Sequence, residues 1–155
     1  MKFIFLFLGK TRETYIDAGI RDYADRLARF VPIELVVIKE KHARKDPDES
    51  IRLQGAKLLL ERCRSASLKV ALDPIGRQPD SEELASILTS WELHGLQSVY
   101  FLIGGHLGLH KSVLDNVDLI LSLSKLTFTH EMTRLILLEQ LYRACTINAG
   151  HKYHK

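Results

Sequence analysis

Six consecutive apolar residues, Phe3 to Leu8, end on Gly9, the pattern of a strand buried on both faces rather than one with a wet side. Ile16, Ile20, Tyr23, Leu27 and Phe30 then recur at spacings of three and four, which predicts a helix with a single apolar face. After Pro32 the β-branched run Ile33 to Ile38 reads as a second strand, and the charged stretch Lys39 to Asp48 as an exposed loop. Helical spacing returns from Ile51 to Cys63 through Leu53, Leu58, Leu59 and Leu60. A short third strand, Lys69 to Leu72, is expected to stop at Asp73, Pro74 and Gly76.

Asp80 and Glu83 have the spacing of a capping box, with Ser81 an equal candidate for the cap, and the helix they open should reach His94 before Gly95 ends it. Ser98 to Ile103 is a fourth strand terminating on Gly104 and Gly105, and Leu119 to Leu121 a fifth. A helix from about His130 to Cys145 closes the pattern. Leu135, Ile136, Leu137, Leu138 and Leu141 make it apolar nearly all round, so burial on more than one side is expected, by the chain's own core or by a second subunit.

Strands alternating with helices along residues 1–155 predict one α/β domain, a mainly parallel sheet flanked by helices. Ligands in such sheets sit beyond the carboxyl ends of the strands, which directs attention to Leu72, Gly104 and the loop after Leu121. The GGHLG loop from Gly104 to Gly108 permits close approach of backbone, because glycine lacks a β-carbon. Neither the dinucleotide G-x-G-x-x-G nor the phosphate-binding G-x-x-x-x-G-K-[ST] occurs, which weakens the case for NAD or ATP.

Composition narrows the class only modestly. Hydrophobic residues at 46% and charged residues at 26% are ordinary for a globular chain and argue against disorder. Phe3 to Leu8 is too short for a membrane span and has no cleavage region after it, so a cytoplasmic protein with no membrane partner is expected. Cys63 and Cys145 read as reduced, mostly buried thiols. The net charge of +3 does not by itself identify a nucleic-acid binder, but its placement is uneven. Lys39, Lys41, Arg44 and Lys45 crowd one loop and Lys152 and Lys155 close the tail, a distribution compatible with a polyanion partner. His106 with His110, and His151 with His154, have ligand-like spacing but no accompanying cysteine or carboxylate cluster, so no metal site is expected.

The last third of the chain is the most informative. Ser122, Ser124, Thr127, Thr129, His130, Arg134, Glu139, Arg143, His151, Tyr153 and His154 cluster about a very apolar helix. FLIGGHLGL from Phe101, then LSLSKLT, then THEMTRLILLEQLYRACTI and the ending HKYHK resemble the ribosomal RNA large subunit methyltransferase H family of the SPOUT superfamily, over the whole chain. The resemblance implies a small α/β homodimer with a deep C-terminal trefoil knot, and transfer of a methyl group from S-adenosyl-L-methionine to N3 of a pseudouridine in helix 69 of 23S rRNA, on the assembled ribosome. Carried over by position, the cofactor site comprises Leu72, Gly104, Gly105, Leu123, Ser124, Lys125, Leu126, Thr127 and Phe128.

N3 of pseudouridine lies between two carbonyls and carries a proton at neutral pH, so its methylation needs proton removal and stabilisation of charge on the ring oxygens. The candidates are His130, Arg134, Glu139, Arg143, Tyr153 and His154. Of these, His154 or Tyr153 is expected near the base, Arg143 or Arg134 near oxygen or phosphate charge, and Glu139 as the orienter of an arginine. Two departures stand out: His106 and Leu107 replace the family's usual Pro-Glu, and the tail carries Lys152 and Lys155 where proline and arginine are usual. They keep open a second class of function, a non-catalytic ribosome- or RNA-binding factor built on the same fold.

Overall fold

The computed structural model describes residues 1–41 and 45–153. Arg44, His154 and Lys155, named above for charge or chemistry, lie outside the described residues. The elements run β1 (Lys2–Leu8), α1 (Thr14–Leu27), β2 (Ile33–Ile38), α2 (Asp48–Arg62), β3 (Leu68–Arg77), α3 (Ser81–Leu93), β4 (Ser98–Ile103), α4 (Lys111–Leu114), β5 (Leu119–Leu121) and α5 (His130–Asn148). All strand pairings are parallel, in the order β2-β1-β4-β3-β5.

Strand β1 shows why its sequence is unbroken in hydrophobicity. Successive side chains leave opposite faces of a strand, so Phe3, Phe5 and Phe7 enter one core while Ile4, Leu6 and Leu8 enter the other. The first core packs against α1, α3 and α5, with Phe5 stacked on Phe101 at 5.0 Å between ring centroids. The second is covered by α2 and α4 through Ala56, Leu59, Cys63 and Val113. Each such fully buried phenylalanine or leucine is worth ~1.5–3 kcal/mol relative to exposure, so loss of either helical layer would undo the strand order.

Strand β3 does not stop at Leu72 as expected. Leu72 and Arg77 both align with Leu121 of β5, so the backbone leaves the ladder across Asp73–Gly76 and rejoins it. Pro74 has no N–H to give a ladder and is confined to such an interruption. Asp73 Oδ1 accepts from the Ile75 N–H at 3.1 Å and closes the excursion. Gly76 then crosses β5 so closely that a Cβ would lie 2.6 Å from the Ile120 carbonyl.

Helix α3 opens with the full capping box, Asp80 and not Ser81 providing the cap: Glu83 N–H donates to Asp80 at 2.8 Å and Asp80 N–H to Glu83 at 2.9 Å. Helix α1 ends at Leu27 rather than continuing to Phe30, whose ring instead packs on Tyr142 and His151. Helix α2 starts at Asp48, ahead of the expected Ile51, with Asp48 and Glu49 in its first turn where negative charge is favoured. Helix α4 spans only four residues and so carries no periodic signal in the sequence, and His110 is its cap, accepting from Ser112 N–H at 3.0 Å with its other ring nitrogen 2.9 Å from Glu49.

Helix α5 lies between α1 and α3 and buries Glu131, Arg134, Leu137, Leu138, Leu141 and Ala144 along one side. Thr133, Ile136 and Gln140 on the other side remain half-buried. Within one chain the helix is therefore covered on a single broad face, although its leucines continue around it.

Candidate functional site

The carboxyl ends of β4, β3 and β5 are neighbours in the sheet, and the segments leaving them converge. After β4 the GGHLG loop doubles back, Gly108 N–H donating to the Gly105 carbonyl at 3.0 Å. Gly104 is the residue that lets it do so, since a Cβ there would come within 2.7 Å of Gly108 backbone.

After β5 the loop is held by its own serines. Buried Ser122 donates to the Ser124 carbonyl at 2.9 Å and accepts from Gln78 at 3.0 Å, and Ser124 Oγ accepts from Leu126 N–H at 3.0 Å. Thr129 then caps α5, accepting from Met132 N–H at 3.2 Å. With their polar neighbours committed in this way, Leu123, Leu126, Thr127 and Phe128 are left facing a common space.

That space is a cavity of about 580 Å³, bounded by Leu72, Asp73 and Pro74 after β3, residues 103–109 after β4, and residues 121–124 and 126–130 with Thr133 after β5. Eight of the nine residues assigned to the cofactor line it, and Lys125 does not. Asp73, Pro74, His106, Leu107, Ser122 and Thr129 also line it. For Pro74 and His106 the readable signal was position, directly after a strand end and inside the glycine loop.

His130 sits at the edge of this cavity, at the start of α5. Burial, and then the nearby Arg134 guanidinium, hold its pKa below the ordinary histidine value, so the imidazole is neutral near pH 7. Arg134, one turn on, is completely buried and lines neither this cavity nor the cleft beside it. It donates to the Leu8 carbonyl at 2.7 Å and to Thr11 Oγ1 at 3.0 Å, with the guanidinium 4.7 Å from the centre of the Phe7 ring. Burial lowers its pKa, and Glu131 and Glu40 oppose the shift. These contacts make Arg134 a positioning residue for the loop after β1.

The remaining candidates form a second group. Arg143 pairs with Glu139 at 2.6 Å, and Glu139 also accepts from Gln140 and from the Tyr153 hydroxyl, the latter at 3.2 Å. Tyr153 lies edge-on to Tyr142 at 4.9 Å, shares a hydrogen bond with Tyr23 at 3.2 Å and carries the Arg143 guanidinium 4.9 Å above its ring. The hydrogen bond with Tyr23, burial and the Glu139 charge all push the Tyr153 pKa up, so its phenol stays protonated. At ~1.5 Å rise per residue, Glu139 and Arg143 stand roughly 14 and 20 Å along α5 from His130. One chain thus separates the described catalytic candidates: His130 at the cavity, Arg134 one turn on and buried, Glu139 and Arg143 well down the helix, and Tyr153 packed back on that pair, while His154 lies outside the described residues.

A family model described as "Predicted SPOUT methyltransferase" matches residues 1–154. The chain is 46% identical over 155 residues to the ribosomal RNA large subunit methyltransferase H of Desulfotalea psychrophila, and 38% identical over 159 to that of Acetivibrio thermocellus, covering all of each. It belongs to the ribosomal RNA large subunit methyltransferase H family of SPOUT methyltransferases. Among solved structures, a probable methyltransferase from Bordetella pertussis aligns with a TM-score of 0.57 at 16% identity, covering 93% of this chain and 95% of that one. A probable methylase family protein from Haemophilus influenzae aligns at 0.58 and 13%, covering 99% of this chain and 70% of that one. At these identities the likeness is one of fold.

SPOUT methyltransferases use S-adenosyl-L-methionine. The family's cofactor suits the cavity on physical grounds. Its volume falls in the range of small-molecule sites, the leucines and Phe128 offer an apolar bed for a purine, and backbone at three strand ends can read the purine's edge.

Proposed function

We propose that this protein transfers a methyl group from S-adenosyl-L-methionine to N3 of a pseudouridine in helix 69 of 23S rRNA, on the assembled ribosome. The observation that carries this is the convergence of three strand-end segments on one apolar cavity with His130 at its edge, in a chain that matches named relatives over its full length. We further infer one domain over residues 1–155, a cytoplasmic homodimer and a knotted C-terminal segment. Membership of the SPOUT family supports the last, and among the described residues no helix is long and apolar enough to cross a membrane.

The cofactor supplies an electrophilic methyl group. Leu72, Gly104, Gly105, Leu123, Ser124, Leu126, Thr127 and Phe128 hold it, Lys125 serving from outside the cavity lining. His130, kept neutral by burial and by Arg134, would accept the N3 proton while the methyl carbon exchanges its bond to the sulfonium sulfur for one to N3, leaving the neutral thioether. Fixing donor and acceptor in line contributes as much as the proton transfer. Glu139, Arg143, Tyr153 and His154 act in the cavity of a second subunit, where Arg143 meets charge on the acceptor's oxygens and Glu139 orients it. The distance of Glu139 and Arg143 from His130 within one chain is what supports this division.

The test is methylation of ribosomes lacking the modification, read by mass spectrometry of the helix 69 fragment. One methyl on the pseudouridine ring is expected. No methyl, or a methyl elsewhere, overturns the substrate assignment. A folded protein that fails to bind S-adenosyl-L-methionine would return the non-catalytic binding factor to first place.

A further inference from the structure

A second cleft, of about 480 Å³, opens beside the cofactor cavity and shares Gly105, His106 and His130 with it. Its other walls are the loop after β1, Glu40 beyond the end of β2, and the first turn of α5. Six titratable side chains line it: Lys10, Arg12, Glu40, His106, His130 and Glu131.

They differ in how they are engaged. Glu131 is committed to the backbone, accepting from Arg12 N–H at 2.9 Å and Glu13 N–H at 3.0 Å. Lys10 and Arg12 have exposed side chains that form no ion pair among the described residues. They ride on a loop that Glu131 and Arg134 grip at Leu8, Thr11, Arg12 and Glu13, so their backbone is held in place before any ligand arrives. Glu40 is half-buried and likewise makes no hydrogen bond among the described residues. Its carboxylate lies 3.3 Å from where a Cβ on Gly105 would stand, against the glycine loop that separates cleft from cavity.

Two cations without ion pairs attract an anion, and a carboxylate, which only accepts, suits a ligand that brings a donor as well. A nucleotide presents this combination, a phosphate at one end and a base with ring N–H groups at the other. We propose that this cleft is the acceptor subsite, with the target nucleotide's phosphate on Lys10 and Arg12, its base beside His130 and a spare ring N–H donated to Glu40. The proposal rests on the methyltransferase reading of the adjoining cavity. Pseudouridine has two ring N–H groups, so one remains for Glu40 when the other is methylated. Uridine has only one, since its N1 carries the sugar, and Glu40 is thereby a specificity-determining residue.

The test compares steady-state methylation by wild type, the Lys10→Ala/Arg12→Ala double variant, Glu40→Ala and Glu40→Gln, on ribosomes carrying either pseudouridine or uridine at the target. S-adenosyl-L-methionine affinity is measured in parallel as the control for folding. The double variant should bind the cofactor as wild type does while its KM for ribosomes rises about tenfold or more and the salt dependence of binding weakens. Glu40→Ala should lower the preference for pseudouridine over uridine about tenfold, and Glu40→Gln, which keeps an acceptor oxygen, should lower it less. A double-variant KM within twofold of wild type, or an unchanged preference in Glu40→Ala, overturns the subsite. Failure of the wild type to methylate either ribosome overturns the functional reading itself, which is a distinct outcome.

Discussion

The carboxylate of Glu131 accepts the Glu13 N–H at the cap position of helix α1 and the Arg12 N–H just before it, while the Glu13 side chain forms no cap hydrogen bond. The two residues are 118 positions apart, so the first turn of α5 completes the start of a helix made at the other end of the chain.

Replacing Glu131 by alanine leaves the N–H groups of Arg12 and Glu13 without their acceptor and should cost about 1–2 kcal/mol. Burial opposes ionisation of this carboxyl, but the two N–H bonds, His130 and Arg134 outweigh it and hold its pKa below the ordinary value of 4.5. A depressed folded-state pKa stabilises above the unfolded value and loses that contribution as pH falls through the folded one. Chemical denaturation of wild type and Glu131→Ala should therefore differ by a constant amount above about pH 5, and the gap should narrow below pH 4.5. A gap that widens on acidification would refute the carboxylate's hold on these two N–H groups.

Gly104→Ala places a methyl group against the Gly108 backbone and forces the glycine loop to open. Cofactor affinity should fall by at least about tenfold, or ~1.4 kcal/mol, measured by calorimetry. Retention of wild-type affinity would remove this loop from the cofactor site.

If neutral His130 takes the proton, activity requires its unprotonated form. Its pKa lies below the ordinary 6.5, because of burial and Arg134, so the acid limb of the kcat–pH profile should also lie below 6.5, with a plateau through neutrality. His130→Asn should abolish that limb along with most of kcat while cofactor affinity stays within a fewfold of wild type. A limb that survives the substitution assigns the proton to another group.

Arg143→Ala and Gly104→Ala disable opposite halves of a composite site. Each homodimer should be nearly inactive, but equal mixing after subunit exchange should restore about a quarter of wild-type activity, because half the dimers carry one intact pairing. No recovery in verified mixed dimers would place both residues in the service of a single subunit.

How much of this was legible in the sequence depended on the range of the interaction involved. Strands β2 and β4 are readable because their apolar runs and flanking proline or glycine are local, and the Asp80–Glu83 cap because its partners are three residues apart. The three strand ends were located by the same reasoning, and they converge. The continuation of β3 is not legible because Pro74 and Gly76 read as a stop, whereas only the presence of β5 alongside brings Arg77 back to a ladder. Helix α4 is too short to show a period. Nothing local distinguishes Glu131 or Arg134 from solvent-facing charges, since their partners lie more than 115 residues away. Nor does a linear reading convey that Tyr153 folds back onto Tyr23 and Glu139.

Helix α5 makes these separations a matter of register. Its first turn anchors the loop after β1, and its later turns present Glu139 and Arg143 without interruption between them. An α-helix turns by about 100° for every residue, so a single insertion or deletion between Arg134 and Glu139 would swing everything downstream by more than a quarter of a circle. The segment can therefore drift in side-chain identity along its half-buried face, but not in length: it works as a spacer of fixed residue count between two chemically different ends.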